Sequence, residues 1–224
     1  MSPLYRFMFP LINWLARVLA RVTVTGAENM PYGGLLLVSN HLTNYDPFLV
    51  GMCFKRPAYF MGKIELYRNP VLAWIYLRLG SFPVRRGEPD RAALRRTEEL
   101  LKSGRVVAIF PEGHRSRQGA VQAGQPGIAL IARRTGVPIL PVAITGSENL
   151  LPRALLRWRP WRRPELTITV GKPFMLPRSS GRADYAALTA LIMARVAALL
   201  PPTYRGIYAE HIEHIEHIES GRDA

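Results

Sequence analysis

The stretch "LLLVSNHLTNYDPFLV", residues 35–50, runs from aliphatics through a histidine and a turn to Asp-Pro. Leu35 to Val38 read as a short strand buried on both faces, because no polar residue breaks the run. Asp46 and Pro47 read as the start of a helix, with the carboxylate as N-cap and proline at the first helical position. Strand, loop and helix in that order form the unit of an α/β layer structure. His41 stands at the strand's end, where open α/β sheets bind ligands. On one helix a five-residue separation would turn His41 and Asp46 about 140° apart, but the turn "LTNY" lets them meet. Two readings fit. One is an ordinary strand–turn–helix joint with a polar lining. The other is an imidazole whose tautomer a carboxylate holds, ready to take a proton from a bound hydroxyl.

Outward from this joint the pattern repeats. "AYFM", "SFPV", "RVVAIF", "VPILPVAITG" and "ELTITV" read as strands, the last with one wetter face. Between them lie helices opened by Asn69-Pro70 and near Pro126, and a late one over "YAALTALIMARVAALL". Residues 89–103 form the clearest amphipathic helix, with Ala93, Leu94, Thr97, Leu100 and Leu101 on one face and Gly104 as its stop. The fold class expected is therefore α/β, a mixed and largely parallel sheet flanked by helices. At 224 residues the chain has room for one good-sized core rather than two full domains. It carries no Gly-rich phosphate loop, which argues against a nucleotide cofactor. Cys53 is the only cysteine, so an intramolecular disulfide and a cysteine zinc cage are excluded.

The formal net charge is +14, mostly from arginine, whose planar fork suits phosphate. The N-terminal stretch to residue 24 is apolar and aromatic, but Arg6, Pro10, Arg17 and Arg21 interrupt the run of about 18 residues that a spanning helix needs. From Pro10 onward Leu11, Trp14, Leu15, Val18 and Leu19 recur at helical spacing, with the arginines elsewhere. That pattern suits a helix lying in a membrane interface, and also one packed on the protein's own core. Residues 150–165 interleave leucine and tryptophan with arginine and suit an anionic surface or a solvated loop. The tail repeat "HIEHIEHIES" reads as solvated charge rather than a metal site.

Two further constellations carry chemistry. In "SFPVRRG", Arg85 and Arg86 follow a short extended segment. Alternation puts them on opposite faces, so one guanidinium at most points into a cleft to grip a phosphate. In "FPEGHRS", Gly113 permits a tight turn whose backbone N–H groups face an oxyanion. Glu112 and Arg115 either pair or both address a polar substrate.

"NHLTNYD", "GSFPVRRG", "FPEGHRS" and "VPILPVAI", in that order between residues 40 and 144, resemble the four successive blocks of the glycerolipid acyltransferase family, best known through 1-acylglycerol-3-phosphate acyltransferases. The resemblance implies acyl transfer from acyl-CoA or acyl-carrier protein to a lysophospholipid hydroxyl, most directly that of 1-acylglycerol 3-phosphate, with no cofactor and no metal. It implies His41 as general base and Asp46 as its partner. Arg86 falls at the phosphate-binding arginine and Arg85 beside it. Glu112, Gly113 and Arg115 fall at acceptor-binding positions, and Pro141 at the fourth block's proline. Arg85 replaces a commoner acidic residue and His114 a commoner threonine, so the reaction type is read more firmly than the acceptor. The organisation expected is membrane-association helices over 1–24, a catalytic domain over 25–203 and a polar tail over 204–224. The protein is expected at the cytoplasmic face of a membrane, peripheral or monotopic, with lipid as partner and no nucleic acid. A non-catalytic basic binder of membrane or nucleic acid and a thioesterase are the rival readings.

Overall fold

The aliphatic run Leu35–Ser39 forms strand β2 at the middle of a seven-stranded sheet. This is seen in a computed structural model of the chain, which describes residues 2–51, 56–116, 118–150, 163–177, 184–210 and 212. Helix α1 (Pro3–Leu19) and strand β1 (Arg21–Thr25) precede β2; α2 (Asp46–Gly51), β3 (Ala58–Lys63), α3 (Pro70–Arg78) and β4 (Ser81–Val84) follow it. Then come α4 (Arg91–Lys102), β5 (Val106–Ile109), α5 (Gly127–Thr135), β6 (Ile139–Thr145), β7 (Glu165–Val170) and α6 (Tyr185–Ala197). The sheet order is β1-β7-β6-β2-β5-β3-β4. Strands β6, β2, β5, β3 and β4 run parallel, β7 runs antiparallel to β6, and β1 runs parallel to β7. The mixed, largely parallel sheet expected from the sequence is therefore present.

All five β2 residues are buried, as a strand covered on both faces must be. Its side chains alternate between two cores. Leu36 and Val38 pack with Val107, Ile128, Ile139 and Met193 beneath α4, α5 and α6. Leu35 and Leu37 pack with Leu49, Val50, Leu140 and Leu166 on the side covered by α1 and α2. Proline falls in two strands, for different reasons. Pro83 lies on edge strand β4, where the missing N–H costs no ladder bond. Pro141 lies in interior strand β6, beyond Val142, the last β6 residue paired with β7 at that end. There Gly171 N–H turns in to bond its carbonyl at 2.9 Å.

Three expectations are corrected. The N-terminal stretch to residue 24 is not helical throughout, because residues 21–25 form β1, paired with Glu165–Thr169 in parallel register. The pattern Arg-Val-Thr-Val-Thr has the period-two alternation of an edge strand, masked in the sequence by the helix before it. Helix α1 also starts earlier than Pro10. Ser2 caps it by accepting from Tyr5 N–H at 3.2 Å, and Pro10 sits inside it at an exposed position where water can reach the carbonyl left unbonded. Finally, the chain from residue 204 is not a loose polar tail along its whole length. Tyr208 and Ile212 are buried in the core under α6, which removes their apolar surface from water. The basic stretch around residues 151–162 and the His-Ile-Glu repeat from residue 213 onward lie outside the described residues. No described helix is long and apolar enough to cross a membrane.

A chain ended after Thr203 is expected to unfold at markedly lower urea than one ended after Ile212. Burying each large side chain is worth about 1.5–3 kcal/mol. Equal midpoints would contradict the docking of this segment.

Candidate active site

At the C-terminal end of β2 the ladder to β6 is continued by a side chain. The Asn40 Nδ2 donates to the Ile144 carbonyl at 2.9 Å, and its Oδ1 accepts from Ile144 N–H at 2.9 Å. A carboxamide here mimics a peptide group, so the chain leaves the sheet with both backbone groups of Ile144 satisfied. His41 follows directly, held at the centre of the sheet's C-terminal edge.

The imidazole Nδ1 meets Asp46 Oδ2 at 2.9 Å. Asp46 is fully buried, and its carboxylate takes four more hydrogen bonds. Leu42 N–H and Thr43 N–H donate to Oδ2, each at 2.6 Å, while the hydroxyls of Thr43 and Ser147 donate to Oδ1 at 2.8 and 2.7 Å. None of these donors lies on α2 beyond Asp46. The expected N-cap is thus replaced: the carboxylate turns back to the loop that carries His41 instead of capping its own helix. With an acceptor on Nδ1, the neutral ring carries its proton there and presents the Nε2 lone pair to a substrate. Phe110 stacks on the ring at 4.4 Å between centroids.

The "FPEGHRS" loop grips the backbone of His41. Glu112 Oε1 accepts from His41 N–H at 3.0 Å and Oε2 from Gln122 N–H at 3.2 Å, while Ser116 N–H donates to the His41 carbonyl at 2.7 Å. Glu112 is fully buried. The resemblance implied acceptor binding for Glu112; here each of its oxygens accepts a backbone amide. Burial pushes its carboxyl up to about 7, against the pull of those two N–H donors, with Asp46 adding a smaller upward push. Gly113 has φ +72°, a conformation that favours glycine, and so serves the turn. Its N–H, expected to face an oxyanion, donates to the Phe110 carbonyl at 3.1 Å.

Strand β4 ends at Val84, so both arginines lie in the turn after it, where they meet different partners. Arg85 Nε lies 4.0 Å from Glu88 and its backbone N–H donates to Asp90 at 2.9 Å, so it belongs to the turn after β4. Arg86 faces other charges. Partial desolvation lowers its pKa, Glu65 opposes that fall, and Arg115 adds to it. Both Arg86 and Arg115 are exposed. Lys63, at the C-terminal end of β3, pairs with Glu65 at 3.5 Å. A cationic group thus forms where the second and third blocks approach one another, and Arg115 is adjacent to Ser116, which holds the His41 carbonyl. Pro141 joins neither group. It is buried in β6 opposite Val38, on the face it shares with Ile139 and Ala143.

Asn40, Phe110, Ser116 and Ser147 complete the site, and sequence reasoning assigned no role to any of them. Asn40, Phe110 and Ser116 lie within the quoted blocks, where their neighbours drew the attention. Ser147 acts on a carboxylate 101 residues earlier in the chain, a pairing no local pattern signals.

An acyltransferase family model matches residues 21–145, which run from β1 to β6 and hold the site except Ser147. The chain belongs to the acyltransferase family. Among curated relatives, a chloroplastic 1-acyl-sn-glycerol-3-phosphate acyltransferase of Arabidopsis thaliana is 32% identical over 139 residues, which are 59% of this chain and 38% of that protein. The 1-acyl-sn-glycerol-3-phosphate acyltransferase of Pseudomonas aeruginosa is 33% identical over 135 residues, 58% of this chain and 52% of the relative. This chain therefore spans between about two fifths and three fifths of such relatives. The crystal structure of the 1-acyl-sn-glycerophosphate acyltransferase PlsC from Thermotoga maritima superposes with a TM-score of 0.64 at 25% identity, covering 87% of this chain and 79% of that one.

The buried Glu112 makes stability depend on pH. An unfolded glutamate loses its proton near 4.5, while the folded one keeps it to about 7. Across that window the folded state holds the extra proton, so stability falls as pH rises and levels off above it. The loss is on the order of 3 kcal/mol. Urea midpoints taken at about pH 5 and about pH 8 should show it, and Glu112→Gln, which does not titrate, should flatten it.

Proposed function

We propose that this chain is an O-acyltransferase that moves a fatty acyl group from an acyl thioester to the free hydroxyl of 1-acylglycerol 3-phosphate, forming phosphatidic acid. The observation that carries this reading is the Nδ1–Oδ2 contact of 2.9 Å, made by a buried, fully satisfied carboxylate at the C-terminal edge of the sheet. Such a pair leaves Nε2 free to act as a base. Nε2 takes the acceptor's hydroxyl proton as the oxygen attacks the thioester carbonyl. The tetrahedral intermediate collapses, the C–S bond breaks, and the imidazolium returns its proton to the departing thiolate. Asp46 steadies the positive charge that develops on the ring in between. No acyl-enzyme forms, and the reaction draws on neither a cofactor nor a metal. The donor is acyl-CoA or acyl-carrier protein. Arg86 and Arg115 hold the acceptor's phosphate so that its hydroxyl lies at the base. The family relatives named for this acceptor support the choice.

Purified protein should release free thiol from acyl-CoA only when the lysolipid is present, with the acyl group recovered as ester. His41→Ala should lower that rate by about 10²- to 10⁴-fold. Arg86→Ala should instead raise KM for the phosphorylated acceptor by about tenfold or more while sparing that for the donor. Free fatty acid as the product would mean a thioesterase.

Both substrates partition into lipid, and we propose that the domain works while attached to one membrane face, on the cytoplasmic side where acyl thioesters are made. Helix α1 supports this. Tyr5 and Ala16 are buried against the domain, whereas Phe7 and Trp14 remain 69% and 59% exposed. Phe7, Leu11, Trp14 and Leu15 follow the i, i+4, i+7, i+8 pattern of one apolar face, bordered by Arg6 and Arg17. The Ser2 hydroxyl bonds the Arg78 carbonyl at 2.5 Å, joining the start of α1 to the end of α3. On α3, Val71 and Trp74 are 64% and 53% exposed. Flotation with anionic liposomes should fall with Trp14→Glu or Trp74→Glu and fall further with both. Unchanged flotation of the double variant would remove the membrane from this account.

A further inference from the structure

Two loops hold the catalytic pair, each on one side. The loop from Pro111 to Gln125 holds the His41 backbone, through Ser116 and through Glu112 with Gln122. The turn after β6 holds Asp46, through Ser147. Beyond α6 the chain crosses both. Tyr204 O accepts from Val121 N–H at 2.9 Å in the first loop. The hydroxyl of the same residue donates to Glu148 Oε1 at 2.5 Å in the second, next to Ser147. Farther along, the Tyr208 hydroxyl accepts from Gly124 N–H at 3.3 Å. Gly206 comes so close to the first loop that a Cβ there would lie 2.1 Å from the Val121 carbonyl oxygen.

We infer that Tyr204 is a positioning residue for the reaction, a cross-brace whose backbone holds the loop behind His41 and whose hydroxyl holds the turn behind Asp46. Without the hydroxyl the two loops lose their link through this residue, and the partner of Nδ1 gains freedom relative to the ring. Tyr204 itself lies well outside the family match, which ends at residue 145. Burial and the neighbouring Glu148 carboxylate push the hydroxyl up to about 12, so it remains a donor at working pH. Glu148 Oε2 is buried with no partner among the described residues, so the Tyr204 bond to Oε1 is an important compensation for that carboxylate.

The inference rests on the acyl-transfer reading for its kinetics alone. Tyr204→Phe should lower kcat about tenfold with both KM values unchanged. In a Ser147→Ala background the same substitution should have little further effect on kcat, because the brace reaches Asp46 through Ser147. A second measurement needs no substrate: nitrogen-15 NMR of labelled histidine in the full chain. The parent should show the proton on His41 Nδ1 in slow exchange with water, and Tyr204→Phe should speed that exchange about tenfold or more. An unchanged exchange rate in Tyr204→Phe overturns the inference, whatever the activity. Activity absent from the parent would overturn the proposed reaction but leave the exchange result to decide the brace. Fully additive losses of kcat in the double variant would place Tyr204 off the path to Asp46 and also overturn it.

Discussion

A carboxylate taken completely out of water persists only where donors replace the solvent it has lost. Asp46 meets that condition with five hydrogen bonds, drawn from His41, Leu42, Thr43 and Ser147. The need for all of them constrains much of the surrounding structure. Residues 41–43 must curl so that two amides and a hydroxyl converge on one point. The turn after β6 must bring Ser147 to the same point, which requires β6 to lie beside β2. The imidazole is the one ring donor of the set, and the contact leaves its Nε2 unused by Asp46.

The third block supports the arrangement from behind. Glu112 and Ser116 bind the N–H and the carbonyl of His41, and Phe110 lies against the ring, so backbone and side chain are both restrained. A glutamate beside such a histidine invites a direct role, but the buried Glu112 carboxylate meets two backbone amides and ties them into the loop. The charged residue left to meet solvent in this block is Arg115. It shares its field with Arg86, from the turn after edge strand β4.

Much of the fold was legible in the sequence because the relevant forces are local. Leu35 to Val38 could only be a doubly covered strand, Asn69-Pro70 opened α3, and the stripe from Ala93 to Leu101 dictated α4. Strand β1 escaped notice because five alternating residues follow a helix without a turn signal, and its pairing partner comes about 140 positions later. The docking of Tyr208 and Ile212 escaped for a related reason. Isolated apolar residues between polar ones have no periodicity, and only the groove under α6 makes them core.

By itself the sequence determined the α/β class, the place of His41 at a strand's end, and the turn that allows Asp46 to return to it. These follow from patterns of polarity and from the geometry of a few neighbouring residues. The tertiary structure alone decided that Asp46 would bond Ser147 rather than cap α2, that Glu112 would hold backbone rather than substrate, and that Tyr204 would span two loops. Each of those outcomes depends on which donors the packed sheet brings within about 3 Å of an oxygen. Hydrogen bonds between distant segments are set by that packing, and their partners leave no periodic trace in the chain.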